Sequence, residues 1–259
     1  MIDIHSHILP GIDDGPETME KSVELAILYE LAGFKSVIAT PHWISGTRWM
    51  PSPKIIFDKI DELNQILKKN NINVAIHQGM EIALDSEIIN QLNKNNLLTL
   101  AGQSYILIEA PFQRMPLGWE SIFFNIISKG HTVVLAHPER CSHLSTNPEL
   151  ADQIIEAGIY MQANYDSFLG YFGKTVKETA FHLAEKGYIH CLATDSHDVV
   201  RRHPKNVRYA LDAVENRIGR ENTELISRKN PQRVLTGLPL KKPVAFINKK
   251  QRKKKWLWF

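Results

Sequence analysis

The sequence predicts an α/β fold whose parallel strands close into a (β/α) barrel, and three features carry the prediction. A helical stretch, a glycine, a short apolar run and then a polar residue recur in that order, as in Gly33 before residues 36–42, Gly130 before 132–137 and Gly187 before 189–197. The apolar runs are nearly continuous, which marks strands covered on both faces. The polar residues stand at the strand ends, where a barrel gathers its active-site face.

Taken in order, the first strand opens the chain: in Ile2-Asp3-Ile4-His5-Ser6-His7, period-two alternation places Asp3, His5 and His7 on one face and Ile2 and Ile4 on the other. The second ends at His42, the third at Glu81 and the fourth at Glu109, while the fifth ends at His137 with Arg140 close behind. Gly158 precedes the sixth, 159–164, and the seventh carries Asp195 and His197 on one face with His190 opposite. The glycines occupy helix C-termini, where a residue free to take positive φ is favoured. About seven strands result, with spacers long enough for helical crossovers. An open doubly wound sheet is the alternative, but it would gather its ligands at one switch point, and the chain has no glycine-rich phosphate loop.

A chain of 259 residues can bury a full core, and one domain over 1–240 with a basic, aromatic tail over 241–259 accounts for it. No apolar run approaches the ~20 residues of a membrane span. With no signal-peptide series before the first strand, a cytoplasmic location is expected. Cys141 and Cys191 are then expected to be free thiols. The formal charge of +3 is asymmetric: residues 241–259 hold eight Lys or Arg and no acid, which leaves −5 on the first 240. A mildly acidic body argues against a nucleic-acid partner.

Nine residues form the candidate metal set: His5, His7, Asp14, His42, Glu81, Glu109, His137, Asp195 and His197. Any one alone is more often a hydrogen-bonding or surface residue. Together, imidazoles and carboxylates at successive strand ends would be costly to bury unless cations offset their desolvation. Nitrogen and oxygen donors without a thiolate suit several divalent ions, such as manganese, iron or zinc, better than a closed cysteine site.

The ordered blocks Ile2-Asp3-Ile4-His5-Ser6-His7-Ile8-Leu9-Pro10, Asp13-Asp14-Gly15, Ala39-Thr40-Pro41-His42, Ala136-His137-Pro138-Glu139-Arg140 and Asp195-Ser196-His197 resemble the PHP (polymerase and histidinol phosphatase) superfamily. Within it, the chain looks most like the bacterial tyrosine phosphatases of capsular and exopolysaccharide gene sets. The resemblance implies a distorted (β/α)7 TIM-like barrel with three cations, manganese foremost. One would be held by His5, His7, Glu81 and Asp195, a second by Glu81, Glu109 and His137, and a third by Asp14, His42 and His197. Sequence alone leaves Asp13 and Asp14 open as the ligand, and the family position favours Asp14. Arg140 and Arg202 match phosphate-binding positions, with Arg201 as a neighbour that could substitute. The implied substrate is a phosphotyrosine protein, an autophosphorylated, membrane-associated bacterial tyrosine kinase; the alternative is a small phosphomonoester such as histidinol phosphate.

Clustered cations suit phosphate-ester cleavage because they activate water and neutralise phosphoryl oxygens, and arginine adds bidentate recognition. A thiol mechanism fails on spacing: six residues after Cys141 stands Asn147, and six after Cys191 stands His197, where a phosphate-loop arginine would be needed. Trp43, Trp49, Tyr165, Phe168, Tyr171 and Phe172 are candidates for an aromatic rim or, equally, for apolar anchors. His77 shares the strand face of Glu81 and could line the barrel below the site, but reads better as a core histidine; Asp198 and His203 could assist the leaving group, but read better as surface residues. The tail, with six basic residues over 249–255 followed by Trp256-Leu257-Trp258-Phe259, reads as disordered or as a peripheral contact with anionic lipid.

Overall fold

The structure, a computed structural model, describes residues 1–246. Nine strand segments run in chain order: β1 (Ile2–Ser6), β2 (Ser36–Ala39), β3 (His42–Trp43), β4 (Ala75–His77), β5 (Glu81–Ala83), β6 (Tyr105–Glu109), β7 (Thr132–Ala136), β8 (Tyr160–Asn164) and β9 (Ile189–Ala193). They form two parallel sheets, ordered β1-β2-β4 and β3-β5-β6-β7-β8-β9.

Two of the strands that the sequence rhythm suggests are broken in two. Pro41, which has no N–H for a ladder, separates β2 from β3, and residues 78–80 around Gly79 separate β4 from β5. The breaks stay side by side, since Glu81 N donates to Pro41 O at 3.1 Å. At the far edges, Asp195 N donates to His5 O at 3.0 Å and His7 N to Ser196 O at 2.9 Å. The segment after β9 therefore returns to the end of β1.

Both sheet faces are buried. One carries Val37, Ile82, Ile106, Ile108, Val133, Leu135 and Met161 against the helices. The other carries Ile2, Ile4, Ile38, Leu107, Val134 and Cys191 in an inner cluster closed by Leu100, Val234 and Leu240. Each such side chain withdraws enough apolar area to contribute roughly 1.5–3 kcal/mol.

The helices follow from local signals. In α1 (Met19–Leu31), Thr18 caps the N-terminus, accepting from Lys21 N. In α2 (Pro53–Lys69), Ser52 caps, Pro53 takes the first turn, and Ile56, Ile60, Leu63 and Leu67 form the buried stripe. No helix among the described residues is long and apolar enough to cross a membrane.

One expectation is corrected. The pairing of β1 with β2 shifts by a residue between Asp3 and Ser6, so strict alternation fails. Asp3 turns to α1, where its carboxylate accepts from Tyr29 Oη at 2.7 Å, while His5 turns to Glu81 and Asp195. Asp3 and His5 thus do not act on one point.

Residues 241–246, grouped with the tail by composition, lie along the fold. Asn230 and Asn222 each bond both ways with the backbone of Lys241 and Val244, and Phe246 N donates to Glu185 O. Gly187, at φ +73°, allows this: a Cβ there would stand 2.8 Å from Pro243 O. The expected tail from 247 onward lies outside the described residues.

Candidate metal centre

The strand ends assemble the nine candidates. β1 delivers His5 and, just past its end, His7; His42 and Glu81 open β3 and β5 in direct register. Glu109 ends β6, His137 follows β7, and Asp195 and His197 follow β9. The loop between β1 and α1 adds Asp13 and Asp14. Gly15 holds that loop close, since a Cβ would meet His7 O at 2.0 Å. His137 (φ +29°) and Asp195 (φ +53°) adopt positive φ without being glycine, the kind of strain that gathers at functional sites.

Glu81 is the hub. Its Oε1 lies 3.0 Å from His137 Nε2 and 3.3 Å from His5 Nε2, and its Oε2 lies 3.0 Å from His42 Nδ1 and 3.2 Å from His7 Nε2. Asp195 Oδ1 stands 3.4 Å from both His5 Nε2 and His7 Nε2. Asp14 Oδ1 stands 3.2 Å from His197 Nε2 and 3.5 Å from His42 Nε2. Glu109 Oε1 is 3.6 Å from His137 Nε2. Asp13 has another part: its Oδ2 meets His7 Nδ1 at 2.6 Å and accepts from His42 N at 3.0 Å. Between the two aspartates, Asp14 faces the cluster and Asp13 orients it.

The residues fit divalent cations. His7 Nδ1 is engaged by Asp13, and His5 Nδ1 by Gln162 Oε1 at 2.8 Å. In the neutral rings both Nε2 atoms are then bare acceptors, yet they face each other at 3.3 Å. Two lone pairs so placed repel unless positive charge lies between them. His42 Nδ1, Glu81 Oε2, Asp195 Oδ1 and His197 Nε2 are likewise buried without a hydrogen-bond partner. Among the described residues, four donor groups converge within 4.8 Å: His7, Asp14, His42 and His197; His5, His7 and Glu81; His5, His137 and Asp195; His42, Glu81 and Glu109. The first contains the set Asp14, His42 and His197; the other implied sets share members across the remaining groups.

Electrostatics agree. Burial, opposed by the Glu81 charge, pushes His137 down to about 4, a neutral imidazole able to ligate. Against their own burial, Arg202 and His5 hold Asp195 well below the usual carboxylate range. Burial and then the neighbouring Glu81 charge push Glu109 up to about 7. Despite burial, the carboxylates Glu81 and Asp195 raise His5, and Asp13 raises His7. Protons here offset a carboxylate excess that cations would neutralise in their place.

At the rim, Arg140 Nη1 donates to Asp195 Oδ2 at 3.0 Å, and Arg202 Nη2 donates to the same oxygen. Arg201 is exposed and does not join them; its backbone N–H, with those of Val200 and Arg202, is held by Asp198. Asp198 therefore shapes the loop. Asn164 Nδ2 donates a third bond to Asp195 Oδ2 at 2.8 Å while Asn164 Oδ1 accepts from Gln162 Nε2 at 2.8 Å, so β8 orients both Asp195 and His5. Buried Glu139 ties the turn after His137 to Asn164 N and Ser167 Oγ.

The aromatic candidates divide. Trp43, Tyr165 and Phe168 are core, and Tyr171 is exposed. Trp49 stacks on His42 with ring centroids 5.3 Å apart. Phe172 and Phe112 both lie against Arg140, and sequence reasoning passed over Phe112. Phe112 stands in a loop without alternation or capping pattern, so no signal marked it. Gln162 and Asn164 did carry one, as polar residues ending an apolar strand. His77 is half-buried and joins no donor group among the described residues. Cys141 and Cys191 are free and buried, and burial pushes both thiols up, the reverse of an activated nucleophile.

Parallel strands covered on both faces, with histidines and carboxylates converging at their ends, define an α/β protein of the metallohydrolase class. Residues 1–236 match the family described as "Capsular polysaccharide synthesis, CpsB/CapC", and the chain belongs to that family. It is 37% identical over 214 residues to the tyrosine-protein phosphatase YwqE of Bacillus subtilis (strain 168), covering 82% of this chain and 84% of that one. It is 29% identical over 240 residues to the tyrosine-protein phosphatase CpsB of Streptococcus pneumoniae, covering 91% and 98%. A solved chain from the work on YwqE and CpsB as unique metal-dependent tyrosine phosphatases superposes with a TM-score of 0.89 at 34% identity, over 96% of this chain and 100% of that one.

Proposed function

We propose that the chain is a metal-dependent protein-tyrosine phosphatase on a distorted seven-stranded (β/α) barrel of the PHP type. The observation that carries the reading is the pair of guanidiniums, Arg140 and Arg202, meeting on one oxygen of Asp195 beside the donor cluster. Support for tyrosine comes from relatives named as tyrosine-protein phosphatases at 37% and 29% identity. Support for the closed barrel comes from the bonds between the segment after β9 and the end of β1.

In this reading His5, His7, Glu81 and Asp195 hold one divalent cation, Glu81, Glu109 and His137 a second, and Asp14, His42 and His197 a third, with manganese the first choice and iron or zinc the others. Bound cations would supply Lewis-acid neutralisation of phosphoryl oxygens and a more acidic water. Arg140 and Arg202 are the catalytic residues: their in-plane N–H groups exchange Asp195 for phosphoryl oxygens and bind them bidentately. Gln162 and Asp13 keep the His5 and His7 Nδ1 protons away from the cluster. A phenol of pKa ~10 leaves without a strong general acid, which suits a site where Asp198 is committed to its loop.

The proposed substrate is an autophosphorylated bacterial tyrosine kinase at the cytoplasmic membrane face, in control of capsule or exopolysaccharide synthesis; the family's description supports that setting. Phosphotyrosine peptide and histidinol phosphate, each assayed with and without manganese, test the reading. Manganese-dependent turnover is expected to favour the peptide at least about tenfold in kcat/KM, the scale of one lost specific contact. Equal turnover of the small ester would sink the tyrosine assignment.

A further inference from the structure

Two aromatic rings lie against the Arg140 guanidinium. The guanidinium carbon lies 4.5 Å from the ring centroid of Phe112 and 4.5 Å from that of Phe172. The rings arrive from separate loops, Phe112 after β6 and Phe172 after the helix Tyr165–Leu169. Phe112 is 42% exposed and Phe172 half-buried, so neither belongs to the core. What they share is Arg140. Phe112 also approaches the His137 ring, with centroids 5.9 Å apart.

We propose that Phe112 and Phe172 are positioning residues that clamp the Arg140 guanidinium by its two faces and aim its edge at the phosphate. Ring contacts use the faces of the cation, whereas hydrogen bonds to phosphate use its edge, so the clamp leaves the binding donors free. The clamp answers a local problem. Beside Arg140 lies Asp195, which would draw a free guanidinium inward, and a long unrestrained side chain would have to be ordered at each binding event. Held in its plane, Arg140 can slide from Asp195 to an arriving phosphoryl oxygen without turning over. The rings also keep water from both faces, which strengthens the in-plane bonds.

The kinetic side of this inference rests on the phosphatase reading; its structural side does not. The test is a double-mutant cycle in the manganese-loaded full chain, with Phe112→Leu and Phe172→Leu combined, alone and together with Arg140→Ala. The probe is inorganic phosphate, followed by calorimetry. With Arg140 present, the leucine pair is expected to weaken phosphate about tenfold, and Phe172→Tyr to restore most of its share. With Arg140→Ala, the same leucine pair should change phosphate binding less than about twofold, because the rings act through the arginine. Equal weakening in both backgrounds, or none with Arg140 present, overturns the proposal. Should the wild-type chain bind no phosphate, the phosphatase reading fails instead. The clamp is then judged by the NMR signals of the Arg140 side chain: ring-current shifts that the leucine pair abolishes support it, and their absence in the wild type overturns it.

Discussion

The carboxylate of Asp13 takes the Nδ1 proton of His7 at 2.6 Å, the backbone N–H of His42 at 3.0 Å and that of Gly15 at 2.9 Å. One side chain thus orients two candidate ligands and pins the loop that carries a third, Asp14. Loss of such a support costs roughly 10–100-fold in metal affinity. Asp13→Ala is therefore expected to weaken manganese within that range, with metal-saturated turnover largely recovered, while Asp14→Ala removes a donor outright and is not rescued by excess metal. Calorimetric titration of the metal-free variants separates the two, and wild-type affinity in Asp13→Ala would show that the bond to His7 does not set the ligand. At this scale most candidate donors were legible because they stand at the end of an apolar run, whereas Asp14, in a loop, was legible only through the family resemblance. The roles of neighbouring aspartates were not, since facing inward or outward from a loop depends on backbone turns that the sequence does not display.

Between elements, the breaks in the second and third strands matter most. β3 and β5 begin with His42 and Glu81 in direct register, and that juxtaposition requires both chains to step sideways together at Pro41 and Gly79. Gly79 is packed against the step: a Cβ would come 2.9 Å from Ile38 Cγ2, 3.0 Å from Ala39 O and 3.2 Å from Leu100 Cδ2. Gly79→Ala overfills that junction, a change that typically costs about 1–3 kcal/mol. The expected result is a Tm lower by roughly 2–12 °C for a domain of this size, together with weaker metal binding, because Glu81 lies two residues on. A lower Tm with unchanged manganese affinity would mean that the step carries stability alone. The strands themselves could be read from the glycine-to-apolar rhythm. Their breaks, and the register shift that sends Asp3 to Tyr29 and His5 to Glu81, could not, because pairing register is a property of two strands at once.

Across the whole molecule, charge is segregated. The chain totals +3, yet the first 240 residues carry −5 and the remaining 19 carry only basic charge, with Trp256, Leu257, Trp258 and Phe259 at the end. Under the proposed kinase substrate, a basic end that finds anionic lipid would leave the acidic body repelled and facing the aqueous side. Each Lys or Arg near such a surface contributes ~1 kcal/mol and interfacial tryptophans add to it, with the electrostatic part fading as salt rises. The side-chain bonds of Asn222 and Asn230 to the backbone of Val244 and Lys241 show that a cut before Val244 would remove contacts of the fold, so the cut is placed after Phe246. The full chain is expected to sediment with phosphatidylserine-containing vesicles at low salt and to be released at high salt, whereas the chain ending at Phe246 stays in the supernatant with its phosphotyrosine turnover intact. Equal sedimentation of the two forms would place any lipid contact on the body, and no sedimentation of either would overturn the lipid contact.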